Sequence, residues 1–187
     1  IVLPSWERET EFYERSPIWI DPGQAFGTGH HMSTVLALEK LENYLLSLNT
    51  IPETMLDIGI GSGILSIAAC RLGVKKVKGV DIEEKSLEEV KKNTELNGLE
   101  GRIETIIGQP FMLNAKAPLV ISNMLFQELL KVRYEFFRLT NPRGILICSG
   151  ILKRQERELI EAMCQVGFNF CSSRESQKWC AVRFERK

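Results

Sequence analysis

The chain has 187 residues, of which 44% are hydrophobic and 26% charged, values typical of a single globular domain. Its 24 Lys and Arg residues balance its 24 Asp and Glu residues, so the formal net charge is zero. This balance gives no electrostatic support for a nucleic-acid-binding or membrane-surface protein. The apolar runs are also shorter than the roughly 18 residues that a membrane-spanning helix needs. We therefore expect no direct nucleic-acid binding and no membrane association.

Cysteine usage and the amino terminus give two further expectations. The chain has five cysteines, Cys70, Cys148, Cys164, Cys171 and Cys180. They form no CxxC pair, and most of them lie in apolar segments. Such a set predicts buried, reduced thiols in a cytoplasmic protein rather than a disulfide framework. His30 and His31 are adjacent and would point in different directions on a regular element, so we expect no metal site. The chain begins with Ile1 rather than Met, which favours an excised or processed segment.

Taken in chain order, the elements alternate between helix and strand. Residues 1–30 are rich in aromatic residues, Pro and Gly and are predicted to form an arm and a loop, and residues 31–187 the main domain. Apolar periodicity then predicts a helix at 33–48. The further predicted strands are 54–58, 76–81, 102–107, 117–123, 143–149, 169–175 and 178–184, and the further helices are 63–72, 84–97, 125–139 and 153–166. This alternation predicts a doubly wound, mainly parallel α/β sheet with an antiparallel edge strand, and a ligand beyond the carboxyl ends of its strands.

A glycine-rich turn, MLDIGIGSGILSIAA, joins the first of these alternating strands to its helix. A dinucleotide-binding turn has a third small residue for close helix packing, but Ile64 stands at that position. The spacing instead resembles the first motif of methyltransferases that use S-adenosylmethionine. Its predicted cofactor contacts are Asp57, Gly59, Gly61 and Gly63.

Asp81 ends the next predicted strand, 20 residues after Gly61. A carboxylate in this place can accept hydrogen bonds from both ribose hydroxyls, so Asp81 and the following Ile82 are predicted to bind the cofactor. The alternative is that Asp81 only caps the following helix, which Asp does well.

The segment DPGQAFGTGHHMST precedes the first long helix. Its glycines and aromatic residue could cover a cofactor, and Thr34 could offer it a hydroxyl group. The predicted covering residues are Phe26, Gly27, Thr28 and Gly29. An ordinary helix start, with Ser33 or Thr34 near the cap, is the competing interpretation.

Two further positions at the same sheet edge are candidates. In VISNMLFQEL, a buried strand ends at Asn123, whose amide oxygen could hold a substrate nitrogen with its lone pair facing the methyl group. The alternative is a helix N-cap, for which Asn is well suited. In IIGQPFML, Gln109 is a weaker candidate for adenine binding, because Pro110 marks a turn whatever its function.

In order and spacing, DPGQAFGTGHH, LDIGIGSGILSIAA, GVDI, ISNMLFQEL, SGIL and KWC resemble the catalytic domain of the ribosomal protein L-eleven (L11) methyltransferase family. The resemblance implies a seven-stranded methyltransferase sheet and S-adenosylmethionine contacts at Thr34, Gly59, Asp81 and Asn123. It also implies methylation of lysine side chains and the terminal amine of a stalk-base protein of the large ribosomal subunit. For this reaction we expect Asn123 to orient the amine while Phe26 closes over it.

The chain departs from the family pattern in two ways that concern the substrate. His30 and Met32 replace the residues usual in the family's loop, and only a short arm precedes Asp21, where the family has a domain that grips the ribosomal protein. A methyltransferase of the same fold with another protein or a small molecule as acceptor is therefore an alternative. A non-catalytic cofactor-binding module is a further one, and Ile64 argues against an oxidoreductase.

Overall fold

The computed structural model describes residues 1–5, 16–21 and 29–187. Its strands are β1 Val2–Pro4, β2 Ile18–Ile20, β3 Thr54–Ile58, β4 Lys76–Asp81, β5 Ile103–Ile107, β6 Ala117–Asn123, β7 Thr140–Leu152, β8 Phe168–Ser176 and β9 Trp179–Arg186. Its α-helices are α1 Met32–Leu46, α2 Ile64–Arg71, α3 Glu84–Leu96, α4 Phe126–Lys131, α5 Arg133–Leu139 and α6 Glu156–Gln165. None of the helices among the described residues is both long and apolar enough to cross a membrane.

Seven strands form one sheet in the order β5-β4-β3-β6-β7-β9-β8. The first five run parallel, and β9 is antiparallel to both β7 and β8. The predicted doubly wound, mainly parallel sheet with an antiparallel edge strand is confirmed. Because the order reverses between β3 and β6, the carboxyl ends of these two strands border the crevice in which such folds bind ligands.

The central strands are buried on both faces, which explains their continuous apolar runs. Met55 packs with α1 and α2 in one core cluster, whereas the next residue, Leu56, packs with α4, α5 and α6 in a second cluster. Leu119 and Val120 of β6 divide in the same way. Alternate side chains along each strand therefore hold the two helical layers to opposite faces of the sheet.

The predicted arm contains structure that composition did not reveal. β1 and β2 pair in parallel as a separate two-stranded sheet. Ile18 and Ile20 are buried in the core cluster of α1 and α2, while Trp19 between them is only partly buried. The prediction of an arm and loop over residues 1–30 named no strand, and the structure has one in each of these two segments.

Three other boundaries differ from the prediction. Helix α1 begins at Met32 because the His31 ring accepts a hydrogen bond from the Ser33 N–H and acts as the N-cap. The predicted helix 125–139 is two helices, because the chain leaves helical geometry at Val132 (φ −97°, ψ 11°). Beside this break, Arg133 donates to the Leu130 carbonyl at 2.6 Å. β7 is longer than 143–149 because β6 and β9 pair with it on either side.

All five cysteines are free, as expected, but they are not all buried. Cys70, Cys148 and Cys180 lie in the core, whereas Cys171 is half-buried. Cys164 is exposed on α6, so the expectation of burial is wrong for this residue.

Candidate active site

A cavity of about 470 Å³ lies at the carboxyl ends of β3, β4, β6 and β7. Its lining is formed by His31, Ser33, Gly59, Ile60, Gly61, Ile64, Leu65, Asp81, Ile82, Glu83, Ser86, Asn123, Met124, Leu125, Glu128, Gly150 and Trp179. Two groups of these lining residues differ in the elements that carry them. We call Gly59, Gly61 and Asp81 the glycine wall, and His31, Asn123, Gly150 and Trp179 the asparagine wall.

The turn after β3 needs glycine for two reasons. Gly59 has a φ of +75°, a left-handed conformation that side chains disfavour. A Cβ added there would also lie 2.7 Å from Cγ and Sδ of Met124. The Gly59 N–H donates to the Val80 carbonyl at 2.9 Å, which ties the turn to β4. The turn therefore brings bare main chain to the cavity.

Asp81 is held in place by main-chain donors on both carboxylate oxygens. Oδ2 accepts from the Gly61 N–H at 2.9 Å, and Oδ1 accepts from the Glu83 N–H at 3.1 Å. The N-cap of α3 is Glu83, so Asp81 is not the cap residue. Each oxygen retains acceptor capacity, because a carboxylate oxygen can accept more than one hydrogen bond. Asp81 thus presents an oriented negative charge to the cavity.

Asn123 lies at the end of β6 and lines the cavity. Its Nδ2 donates to Thr34 Oγ1 at 3.1 Å, which fixes the amide plane. Its Oδ1 is buried and has no hydrogen-bond partner among the described residues. The N-cap of α4 is Leu125, so the capping alternative for Asn123 is wrong. A buried acceptor without a partner is costly, and a ligand that donates an N–H would satisfy it.

The start of α1 is joined to the asparagine wall by buried polar contacts. Ser149 Oγ donates to the Ser33 carbonyl at 2.8 Å, next to the Thr34–Asn123 hydrogen bond. The His31 ring meets the Trp179 ring edge to face, with centroids 4.5 Å apart. Residues from α1, β6, β7 and β9 therefore meet at one side of the cavity.

Asp57 lies beneath the glycine turn and is only 1% exposed. Ser66 Oγ donates to its Oδ2 at 2.6 Å, while Oδ1 has no partner among the described residues. Burial raises the pKa of Asp57 to about 8; the Ser66 hydrogen bond opposes this rise and the charge of Asp81 adds to it. This carboxyl group supports the turn from behind the cavity.

The structure brings together some of the predicted site residues and separates others. Gly59, Gly61, Asp81, Ile82 and Asn123 line the cavity. Thr34, Asp57 and Gly63 lie behind its surface, and Gly29 and Gln109 are outside the lining. Phe26, Gly27 and Thr28 lie outside the described residues. Direct cofactor contact by each of these residues stays a prediction.

Sequence reasoning gave no role to several residues of the asparagine wall. Gly150 has a φ of +87°, and a Cβ there would lie 2.2 Å from the Met124 carbonyl oxygen. Gly150 and Trp179 fall in the SGIL and KWC segments, which were visible in the sequence without an assigned function. No three-residue group of His, Cys, Asp or Glu able to hold a metal ion occurs within residues 1–5, 16–21 and 29–187.

The comparisons with known proteins agree with this geometry. The family model described as Ribosomal protein L11 methyltransferase (PrmA) matches residues 1–187. The chain belongs to this family. It is 39% identical to the ribosomal protein L11 methyltransferase of Dictyoglomus turgidum over 97% of this chain, and 34% identical to that of Thermoanaerobacter pseudethanolicus over 100%. The chain spans 59% of the length of each of these two family members.

Solved structures show the same arrangement of strands and helices. The crystal structure of ribosomal protein L11 methylase from Lactobacillus delbrueckii subsp. bulgaricus superimposes with a TM-score of 0.89 at 30% identity, covering 100% of this chain and 94% of that one. Magnesium protoporphyrin IX methyltransferase from Synechocystis PCC 6803 shares the fold, with a TM-score of 0.70 at 18% identity over 83% of this chain and 80% of that one. The family resemblance found in the sequence is confirmed.

Proposed function

We propose that this chain binds S-adenosylmethionine and transfers its methyl group to an amine of ribosomal protein L11, the stalk-base protein of the large subunit. The acceptors would be lysine side chains or the terminal amine, methylated in the cytoplasm. Family membership supports the reaction class. The observation that carries the proposal is the buried Oδ1 of Asn123, an acceptor without a partner among the described residues, in a side chain that lines the cavity.

The glycine wall fits the proposed cofactor. Asp81 offers acceptor capacity for ribose hydroxyl groups and a negative charge for a sulfonium cation. Gly59 lines the cavity with main chain and no side chain of its own, and the largely exposed Ile82 offers an apolar face beside Asp81. When bound, S-adenosylmethionine supplies an electrophilic methyl group. Five other predicted residues are weaker candidates for direct cofactor contact, because they do not line the cavity: Thr34, Asp57, Gly63, Gly29 and Gln109.

The amine must lose a proton before it can act as a nucleophile, since a lysine side chain with a pKa near 10.4 is almost wholly charged at neutral pH. Apolar lining such as Ile64, Leu65 and Trp179 disfavours the charged form by desolvation. Asn123 is neutral, so it accepts an amine N–H without stabilising the ammonium form as a carboxylate would. Its hydrogen bond to Thr34 fixes the direction of that acceptor. An oriented acceptor favours a mechanism in which the rate of methyl transfer comes mainly from aligning the amine with the methyl group.

Transfer of labelled methyl groups tests this proposal. Purified chain, labelled S-adenosylmethionine and ribosomal protein L11 are incubated beside a bulk cell lysate, and labelled peptides are located by mass spectrometry. We expect label on lysine or the terminal amine of L11. An Asp81→Ala variant serves as the cofactor-binding control. Label on another protein or a small molecule, with L11 unlabelled, would support the alternative acceptor and contradict the proposal.

A further inference from the structure

Asn93 of α3 connects two segments that are far apart in the sequence. The residue is fully buried, with 0% exposure. Its Nδ2 donates to the Ser62 carbonyl in the glycine turn at 2.9 Å, and its Oδ1 accepts from the Asp21 N–H at 2.8 Å. The amide nitrogen of Asn93 therefore bonds to the glycine turn, and its amide oxygen bonds to the residue that follows β2.

The glycine turn requires such an external restraint. Ser62 stands between Gly61, with a φ of +53°, and Gly63, with a φ of +80°. Glycine backbone is freer than that of other residues, so two flanking glycines leave the direction of the Ser62 carbonyl weakly determined by the turn itself. Val90, one helical turn before Asn93, packs against Gly63, because a Cβ added to Gly63 would lie 3.2 Å from Val90 Cγ2. The middle of helix α3 therefore packs against the turn through Val90 and Asn93, which do not line the cavity.

The arm meets the same region at a second place. A Cβ added to Gly29 would lie 2.9 Å from Val2 Cγ1 and 3.3 Å from Ile64 Cδ1. Ile64 begins α2 and lines the cavity, whereas Asn93 does not line it. Any influence of Asn93 on a bound ligand must therefore pass through the main chain that it holds.

We propose that Asn93 is a positioning residue for the cofactor site. It locks the glycine turn and the arm into one arrangement and so sets the affinity for the cofactor without touching it. The inference rests on the proposed function for the identity of the cofactor, S-adenosylmethionine. The geometry of the two hydrogen bonds of Asn93 stands independently of that identity.

Asn97, the C-cap residue of α3, provides a matched control. It is also a buried asparagine, 3% exposed. Its Oδ1 accepts from the Trp19 N–H at 3.0 Å, and its Nδ2 donates to the Trp19 carbonyl at 2.7 Å. Its Nδ2 also donates to the Asn93 main-chain carbonyl at 2.7 Å. Asn97 therefore anchors the arm, as Asn93 does, but within the described residues its side-chain hydrogen bonds do not reach the glycine turn.

The test compares Asn93→Asp with Asn97→Asp. Asn93→Asp keeps an acceptor for the Asp21 N–H and places an oxygen where Nδ2 donated to the Ser62 carbonyl; Asn97→Asp makes the same change toward Trp19. The dissociation constant for S-adenosylmethionine is measured by calorimetry without any methyl acceptor. Amide hydrogen exchange at 61–63 is followed in cofactor-free protein.

We expect Asn93→Asp to raise the dissociation constant by about tenfold or more and Asn97→Asp to change it by less than about threefold. Amide exchange at 61–63 should accelerate only in the Asn93 variant. If Asn93→Asp does not fold, Asn93→Ser is judged by the same criteria. Equal effects of the two substitutions, or unchanged affinity and exchange in the Asn93 variant, would overturn the proposal. Absence of binding by the unsubstituted chain would instead count against the proposed function, and the exchange comparison would still decide the role of Asn93.

Discussion

The glycine wall and the asparagine wall are built in different ways. The polar groups of the glycine wall come from a short stretch of chain and are paired with one another, as the Gly61–Asp81 hydrogen bond shows. The asparagine wall depends on contacts across long separations, such as Asn123 to Thr34 over 89 residues and Ser149 to Ser33 over 116. Its central side chain, Asn123, keeps one buried acceptor without a described partner.

This difference matches two different tasks. A wall whose polar groups are already paired has a fixed shape, which suits a cofactor of fixed structure. A wall with one oriented, unsatisfied acceptor suits a ligand that brings an N–H donor to it. We therefore propose that the cofactor binds at the glycine wall and the methyl acceptor at the asparagine wall.

Substitution of two glycines that approach Met124 should give the largest difference in stability between the two walls. Gly150→Ala places a Cβ 2.2 Å from the Met124 carbonyl oxygen, so main chain must move, whereas Gly59→Ala meets only the flexible Met124 side chain at 2.7 Å. We expect Gly150→Ala to lower the free energy of unfolding by about 3 kcal/mol and Gly59→Ala by about 1–2 kcal/mol. Denaturant unfolding measures both.

Gly98→Ala provides the baseline for these substitutions. Gly98 has a φ of +61° and no atom within 4 Å of an added Cβ, so it reports the backbone cost alone, about 1 kcal/mol. An effect of Gly150→Ala no greater than that of Gly98→Ala would show that the asparagine wall is not closely packed at Met124.

The buried carboxyl beneath the glycine wall predicts a pH dependence. Burial in the folded chain raises the pKa of Asp57 to about 8, from 3.8 for an unperturbed Asp side chain. Between these values the folded state keeps a proton that the unfolded state loses, so raising the pH lowers stability, by at most about 1.4 kcal/mol per pH unit. Asp57→Asn should remove this contribution. Unfolding free energies of both proteins from pH 5 to pH 8 test it, and parallel profiles would contradict the raised pKa.

Two buried serines offer a smaller comparison between the walls. Ser149, next to Gly150 of the asparagine wall, donates through Oγ to the Ser33 carbonyl at 2.8 Å. Ser122 Oγ donates to the Ile58 carbonyl, just before Gly59 of the glycine wall, also at 2.8 Å. Each change to Ala should cost about 1–2 kcal/mol of unfolding free energy, because it leaves a buried carbonyl without that donor.

The functional effects of the two serine variants should differ. Ser149→Ala should raise the KM for the acceptor by about threefold or more with cofactor affinity nearly unchanged. Ser122→Ala should instead lower the affinity for S-adenosylmethionine. Calorimetry and initial-rate kinetics separate the two. The same pattern in both variants would mean that the walls do not act separately.

The same contrast explains what the sequence could predict. The glycine spacing and Asp81 were identifiable because one turn and one following strand define them locally. The sheet was also predictable, because its strands are continuous apolar runs whose side chains fill the two core clusters. Phe26 was proposed on the same local grounds, and its role stays a prediction.

Features that depend on distant contacts were not identifiable. His31 caps α1 with its ring, and its neighbour Trp179 comes from the other end of the chain. Periodicity and propensity describe single elements, so they carry no information about such pairings.

Substitution of Asn123 tests the division between the two walls most directly. Asn123→Ala removes the buried acceptor, whereas Asn123→Asp keeps an oxygen at its place. We predict that the alanine variant loses about tenfold or more in kcat while its dissociation constant for S-adenosylmethionine changes by less than about threefold, and that the aspartate variant retains more turnover than alanine. Normal turnover in Asn123→Ala, or a loss of cofactor affinity as large as its loss of turnover, would contradict the account.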